Sequence, residues 1–346
     1  MPTHDISRRD FMKESALALG AAALGGALQG RTAHAAEAAS GASAPAKVYF
    51  CKEINVENLL KIYGKISGDI TGKVAVKLHT GEPGAPNLPP RELPKALIER
   101  IPNSTIVECN VLYPSPRQKT ETHRKLLAEN GWTFSPVDIM DEDGDTALPV
   151  PGANAFFEGQ WGKPGTKDLP FTPGHHLREI YVGKHLLDYD SLLVFTHFKG
   201  HISGGYGGSL KNIAIGCSSP RGKRQQHEDG WIKGALFQEH MVEAAKAIVT
   251  HFSPRIAYIN LMMNISVDCD CAGMDAAKPE IPDLGILAGT DLAAVDRASV
   301  DMIYNLPDGE PKKALIERIE SRAGLRQLEY MRIFGMGDGR YELVEI

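Results

Sequence analysis

Ser191-Leu192-Leu193-Val194-Phe195-Thr196 is a short, largely apolar run of the kind that forms a buried strand. Similar β-like runs occur at 47–50, 73–79, 104–107 and 256–262. Stretches with helical spacing alternate with them, at 55–66, 90–101, 122–130 and 238–252. This order predicts an α/β fold with a mostly parallel sheet and covering helices, in two closely packed lobes, 47–190 and 191–346. The Gly/Pro-rich span 141–174 is predicted to be a long surface excursion.

The first 35 residues have the layout of a twin-arginine (Tat) export signal. Arg8 and Arg9 stand in a basic block, an apolar stretch runs to about Leu28, and Ala33-His34-Ala35 offers a cleavage site. The apolar stretch is short for a membrane span, although an amphipathic first helix or an uncleaved anchor is the alternative. We therefore expect a folded protein carried by the Tat translocase to the periplasm, with no stable membrane anchor. A flexible leader at 36–46 would precede the α/β domain at 47–346.

The amino-acid composition limits which partners and which roles of the cysteines are expected. The formal net charge of −5 argues against general nucleic-acid binding. Five cysteines are an awkward number for a disulfide framework in an oxidising compartment. Cys269 and Cys271 stand too close in sequence for an ordinary mutual disulfide. Ligand or redox duties are therefore plausible for them, although small buried cysteines are common.

A glycine-rich segment follows the strand at 191–196 directly. Gly204, Gly205, Gly207 and Gly208 let the backbone approach a ligand and turn N–H groups towards an anion. The flanking titratable residues are His197, Lys199, His201 and Lys211, with His227 further on. The spacing is neither that of a nucleotide P-loop nor that of a dinucleotide fold, so a phosphate or carboxylate site is expected. Active sites of parallel sheets gather at the carboxyl ends of strands, where His79 also falls.

Several motifs make the chain resemble the domain-of-unknown-function family 362. They are His201-x3-Gly-Tyr-Gly-Gly-x2-Lys-Asn, Val74 to Glu82, Asn110 to Arg117, Asp268-Cys269-Asp270-Cys271, Pro282 to Ala288 and Asp291-x4-Asp296. Many members of this iron-sulfur-associated family carry ferredoxin-like four-cysteine motifs. This chain has no C-x2-C-x2-C run, so a ferredoxin-type cluster of its own is not expected.

The glycine loop is also similar, more distantly, to that of the lactate racemase family, which uses a nickel-pincer nucleotide. His201, Lys211 and His227 keep the spacings of that family. The resemblance implies Lys211 as a covalent cofactor anchor, His227 as a metal ligand and His201 as an acid/base group. His123 is the match to the second acid/base histidine. The four loop glycines and Asn212 would complete the cofactor site.

Other residues are weighed on their chemistry alone. Lys199 and Arg117 are candidates for holding a substrate carboxylate, with Arg favoured for its bidentate geometry. Asp268-Cys269-Asp270-Cys271 offers soft and hard ligands for zinc, iron or nickel, and in a strand its two cysteines would share one face. His197 and Cys217 are the suggested partners of these cysteines. His175, His176 and His240 are interpreted as surface residues, and Asp283, Asp291 and Asp296 as helix caps or turns.

Two hypotheses from different classes remain open. The first is an exported enzyme, an isomerase or oxidoreductase, that acts on a small hydroxy acid or related carboxylate through a transition metal or organometallic cofactor. The second is a non-catalytic metal-binding or electron-relay protein that uses Cys269, Cys271 and histidines and serves a redox partner.

Overall fold

A computed structural model describes residues 44–151, 176–228 and 231–346. The predicted export signal, almost all of the leader and His175 lie outside these residues. Residues Pro45 to Ile346 form one compact unit. Within the described residues, no helix is both long enough and apolar enough to cross a membrane.

The centre of the fold is an eight-stranded sheet. Its strands are β1 (Ala46–Cys51), β2 (Val74–Lys77), β3 (Ser104–Glu108), β4 (Val137–Ile139), β7 (Ser191–His197), β10 (Ile256–Met262), β11 (Gly285–Gly289) and β12 (Tyr341–Glu345). They are arranged in the order β12-β1-β11-β10-β7-β2-β3-β4. Only β11 runs antiparallel to its neighbours, β1 and β10. The predicted α/β class and mostly parallel sheet are confirmed, and strands from both suggested lobes pair in this one sheet.

Helices cover both faces of the sheet. They are α1 (Val56–Ile66), α2 (Glu92–Arg100), α3 (Thr120–Glu129), α4 (Ser209–Gly216), α5 (Pro220–His227), α6 (Ala235–Phe252), α7 (Leu292–Tyr304), α8 (Glu310–Ser321) and α9 (Arg326–Ile333). Alternate strand residues such as Val74, Val76 and Leu193 pack with Leu59 of α1 and Leu97 of α2 in one hydrophobic core. The period-2 alternation sends the intervening residues to the opposite face, where α4 and α7 contact β7 and β10.

Two small hairpins stand outside the main sheet. β5 (Asp145–Pro149) pairs with β6 (Glu179–Gly183), and β8 (Lys199–His201) pairs with β9 (Gly205–Gly207). Residues 152–174 of the predicted surface excursion lie outside the described residues, and its described part includes the strand β5. Its partner lies beyond Gly174, and so the pairing was not visible in a local pattern.

The glycine-rich segment is a hairpin that leads into a helix. A side chain at Gly200 would bring its Cβ within 2.2 Å of the Val267 carbonyl oxygen, and Gly205 has a φ of +75°. Neither position accepts an ordinary L-residue without strain. The glycines therefore shape the turn by which β8 and β9 approach their neighbours.

Buried Asp296 fixes the start of helix α4 from a different helix. Its carboxylate accepts hydrogen bonds from the backbone N–H groups of Ser209 at 2.8 Å and Leu210 at 2.9 Å. The Asn260 amide donates to the same carboxylate at 2.8 Å. Asp296 is thus a cap, as predicted, although of α4 and not of its own helix α7. Asp291 caps α7 by accepting from the Ala294 N–H, and Asp283 accepts from the Asn264 N–H.

Candidate active site

A cavity of about 200 Å³ opens at the carboxyl ends of β2, β3 and β7. The end residues Lys77, Glu108 and His197 line it. The remaining walls come from the loop after β2, the β8–β9 hairpin, helices α4 and α5, and the segment 269–271. The titratable side chains on these walls include His79, Lys199, His201, Lys211, His227, Cys269 and Cys271. The strand-end location agrees with the sequence-based expectation.

Two cysteine sulfurs and one imidazole converge on one wall of this cavity. Ligand atoms of His201, Cys269 and Cys271 all lie within 4.8 Å of one another. The Nε2 atom of His201 is 3.7 Å from the Cys271 sulfur, and the Cys271 N–H donates to the Cys269 sulfur at 3.4 Å. Sulfur and imidazole donors at this spacing suit a transition-metal ion.

The cysteines converge by a different local structure from the one expected. Cys269 precedes a short 3-10 helix, Asp270–Asp275, and does not lie in a strand. The strand-based argument for a shared face was therefore wrong. The sulfurs are nevertheless adjacent because the tight turn brings Cys271 back over Cys269.

Hydrogen bonding strongly favours a thiolate at Cys269. A hydrogen bond from the Cys271 thiol is the largest contribution that lowers the pKa of Cys269 well below its ordinary value. His201 and His79 contribute in the same direction. Burial opposes this effect. Cys271, which donates to Cys269, has a raised pKa. A sulfur that gathers donors in this way is a candidate ligand or nucleophile.

His197 and Cys217, the suggested partners of the cysteines, have other contacts. His197 uses Nδ1 on Asp270 at 2.9 Å and Nε2 on the Met263 carbonyl oxygen at 2.8 Å. Cys217 is buried beside Cys109, whose thiol contacts the Cys217 carbonyl oxygen at 3.5 Å. The group near the cysteines is instead His201.

Most of the buried cations at the cavity are already paired. Lys199 lies 2.9 Å from Asp270. Burial tends to raise the pKa of the Asp270 carboxyl, but the charges of His197 and Lys199 outweigh burial and hold that pKa below its ordinary range. Arg117 binds Glu82 at 3.1 Å and Glu108 at 2.8 Å. Lys199 and Arg117 are therefore held in ion pairs, and their contact with a substrate carboxylate stays a prediction.

Lys211 differs from these cations. Within the described residues its ammonium group has no hydrogen bond or ion pair, although the side chain is half-buried at the cavity wall. The aliphatic part of Lys211 lies over the backbone of the glycine loop, close to Gly204 and Gly207. Neighbouring Asn212 has a structural task, since its amide donates to the Phe195 carbonyl oxygen at 3.2 Å and to the Thr196 hydroxyl at 3.0 Å.

The structure places His79, and not His123, at the cavity. His123 is fully buried, does not line the cavity, and lies 3.2 Å from Asn110 through Nδ1. Arg117 donates to its Nε2 at 3.4 Å, and burial lowers its pKa to about 3. His79, which the sequence marked only by its place at a strand end, lines the cavity and hydrogen-bonds Cys269.

His227 lines the cavity as a neutral imidazole. Burial, followed by the charge of Lys211, lowers its pKa to about 3. Its ring stacks on Phe237 with centroids 4.4 Å apart, and its buried Nδ1 has no hydrogen-bond partner among the described residues. The metal-ligand role predicted for His227 is untested by this geometry and stays a prediction.

The histidines interpreted as surface residues are not so exposed. His240 is buried, and its Nδ1 lies 3.1 Å from the Gln226 carbonyl oxygen. His176 is half-buried against Glu239, 2.7 Å away. The surface assignment was wrong for His240 because helix α6 is buried along most of its length, which its isolated sequence does not reveal.

Comparison with known proteins gives one family match and two distant structures. The model of the family "Domain of unknown function (DUF362)" matches residues 74–301. No curated protein matches the chain in sequence. A Thermotoga maritima protein solved by a structural genomics consortium shares 15% identity at a TM-score of 0.43, covering 73% of this chain and 59% of its own. The lactate racemase apoprotein of Thermoanaerobacterium thermosaccharolyticum shares 10% identity at a TM-score of 0.39, covering 75% and 57%. Similarity at this level says nothing about the activity of this chain, which spans less than two thirds of either structure.

Proposed function

This chain belongs to the DUF362 family, as its motifs predict, and we propose that it is a metal-dependent enzyme acting on a small hydroxy acid or related carboxylate. The observation that carries the proposal is the cavity wall on which the sulfurs of Cys269 and Cys271 adjoin each other and His201. Thiolate sulfur selects transition metals over calcium or magnesium. Two protein ligands would leave coordination positions open to a substrate.

Lys211 supports the carboxylate part of the proposal. Its ammonium group has neither a hydrogen bond nor an ion pair within the described ranges, so it can meet an incoming anion without first breaking either. A carboxylate held by an ammonium group gains a charge-assisted hydrogen bond. The hydroxyl or carbonyl beside that carboxylate would then be turned towards the sulfurs.

The size of the cavity favours a bare metal ion over a nucleotide cofactor. A volume of about 200 Å³ lies below the range of about 300–1,000 Å³ usual for organic ligands. Lys211, His201 and His227 do line the same cavity, but a pincer nucleotide and a substrate together need more room. We therefore propose a directly held nickel, iron or zinc ion.

The cellular part of the proposal rests on the amino-terminal sequence alone. Arg8, Arg9 and the Ala33-His34-Ala35 site support export by the Tat translocase to the periplasm. The Tat route carries folded proteins, so a metal acquired in the cytoplasm would travel with the chain.

The test is turnover by the metal-loaded chain. The full chain is loaded in turn with nickel, iron and zinc and incubated with single enantiomers of small 2-hydroxy acids. Chiral chromatography then follows racemisation or oxidation. We expect turnover with one metal and loss of it in Cys269→Ser. Cys51→Ser is the matched control, because Cys51 is buried in β1 outside the cavity.

The second candidate is a non-catalytic metal or electron relay. The partial exposure of Cys271 beside buried Cys269 favours it, since a sulfur at the surface gives electrons a short path out. The two candidates differ at Lys211. Lys211→Ala raises KM for the substrate of the enzyme about ten- to a hundredfold and leaves the metal content and reduction potential of a relay unchanged.

A further inference from the structure

Two histidines of the cavity are held by backbone amides in the same manner. The Gly81 N–H donates to Nδ1 of His79 at 2.9 Å. The N–H groups of Ser203 and Gly204 donate to Nδ1 of His201 at 3.1 Å and 2.9 Å. In each case the donors lie two or three residues beyond the histidine, in the turn that follows it.

These contacts decide which ring nitrogen carries the proton. A neutral imidazole has one N–H group and one lone pair. Because Nδ1 accepts from the backbone, its lone pair is occupied and the proton lies on Nε2. With Nδ1 occupied as an acceptor, each ring is neutral and carries its one N–H group on Nε2.

The remaining N–H groups converge on the cysteines. Nε2 of His201 lies 3.7 Å from the Cys271 sulfur, the ligand atoms of His201, Cys269 and Cys271 lie within 4.8 Å of one another, and His79 neighbours Cys269. His79 follows β2 and His201 ends β8, so the donors reach the sulfur from separate elements. The nearest carboxylate oxygen to His79 Nδ1 is Glu108 Oε1, at 4.0 Å, beyond hydrogen-bonding distance.

A metal ligand needs the opposite arrangement. Coordination through Nε2 of His201 would require a lone pair there, which moves the proton to Nδ1. That proton would face the N–H groups of Ser203 and Gly204 and leave both without an acceptor. His201 is therefore close enough to the cysteines to share a metal ion with them. Its hydrogen bonds at Nδ1, however, leave a proton and not a lone pair on Nε2.

We infer that His79 and His201 are positioning residues that turn their Nε2–H groups towards the sulfurs of Cys269 and Cys271, and that neither coordinates the metal. The inference rests on the proposed function for the metal itself. Two such donors stabilise negative charge on the sulfur and hold the ligand in place for a bound ion. They also leave the metal positions opposite the cysteines free for the substrate.

The first experiment examines the rings without any metal. Nitrogen-15 NMR of the metal-free full chain reports which nitrogen of each imidazole is protonated, and His79→Gln and His201→Gln assign the two signals. We expect the Nε2–H form for both rings at pH 7. An Nδ1–H form at either histidine overturns the inference, whatever the chain does with metals.

The second experiment uses cobalt(II) as the probe. Gln places an N–H group near the position of Nε2, whereas Leu removes the donor and any ligand. We expect His201→Gln to keep the cobalt affinity and the sulfur-to-cobalt charge-transfer band. His201→Leu should move that band to longer wavelength, because an unbonded thiolate gives up charge more easily, and weaken binding about ten- to a hundredfold. The same pair of changes at His79 should behave alike, and His251→Gln, on helix α6 outside the cavity, is the control.

The outcomes separate this inference from the proposed function. Equal large losses of cobalt affinity in His201→Gln and His201→Leu, with altered d–d bands, would identify His201 as a ligand and overturn the inference. A wild-type chain that binds no cobalt contradicts the metal-dependent function, while the NMR result still decides the donor role of the two rings.

Discussion

At the scale of single residues, the proposed function gives Lys211 the recognition of the substrate. Its ammonium group has no ionic partner among the described residues, whereas Lys199 and Arg117 are bound to carboxylates. We predict that Lys211→Met raises KM for a 2-hydroxy acid about ten- to a hundredfold, the value of one charge-assisted hydrogen bond. Steady-state kinetics of the metal-loaded chain measures it.

The control for Lys211→Met is Lys65→Met. Lys65 is an exposed lysine in the last turn of α1 and does not line the cavity, so its replacement leaves KM unchanged. An unchanged KM and kcat in Lys211→Met would remove Lys211 from the site. A loss of kcat alone would mean that Lys211 acts in the transition state and not in binding.

The residue scale is also where the sequence is least informative. The glycine loop, His201 and Lys211 could be predicted to be near one another because they share a strand end and a motif, whereas Cys269 was matched with His197 and Cys217. The ion pairs of Lys199 and Arg117 could not, since Asp270 and Glu108 are distant or unremarkable in sequence. His79 was undervalued because its partner, Cys269, lies 190 positions further along the chain.

At the scale of elements, Asp296 links helix α7 to the start of α4. We predict that Asp296→Ala lowers the free energy of unfolding by about 2–4 kcal/mol, because the buried N–H groups of Ser209 and Leu210 lose their acceptor. Urea denaturation followed by circular dichroism measures the change. The glycine loop before α4 should also become more sensitive to protease.

Asp291→Ala is the matched comparison for that prediction. Asp291 caps its own helix at a less buried position, so its loss should lower the free energy of unfolding by only about 1 kcal/mol. If the two variants were equally stable, the link between α7 and α4 would have no energetic importance.

Elements with a strong local pattern were predictable and those with long-range pairing were not. The apolar strands β2, β7 and β10 and the periodic helices α1 and α6 follow from their own residues. The β8–β9 hairpin has strands of three residues, too short for a pattern, and its glycines were interpreted as a loop. The tight turn at Cys269 was mistaken for a strand because alternation of Asp and Cys also fits one.

At the scale of the whole molecule, stability should depend on pH through buried Glu243. Burial raises the pKa of Glu243 to about 7 from an ordinary 4.5, against the hydrogen bonds from Tyr330 and Leu177. The folded chain therefore holds this proton more tightly than the unfolded chain, and stability falls as the pH rises from about 4.5 to about 7. The decrease should approach about 3 kcal/mol.

Glu243→Gln isolates this contribution. A glutamine does not titrate, so the difference in free energy of unfolding between pH 5 and pH 8 should shrink in the variant by most of that amount. Urea titrations of both proteins at the two pH values give the comparison. An identical pH dependence in wild type and variant would assign the effect to other groups, such as His176.

The proposed export also concerns the whole chain. We predict that replacing Arg8 and Arg9 together by lysine keeps the protein in the cytoplasm, because the Tat route requires the arginine pair. Fractionation with an antibody against the folded domain measures its distribution. Lys13→Arg is the control, and periplasmic protein at wild-type level in the double variant would contradict the export proposal.

The most direct test of the metal centre is elemental analysis of the chain purified from its host, beside a Cys269→Ser, Cys271→Ser double variant. We predict close to one transition-metal ion per wild-type chain and almost none in the double variant, with Cys51→Ser unchanged. A wild-type chain without metal, or a double variant with the same metal content, would contradict a metal centre built on these two sulfurs.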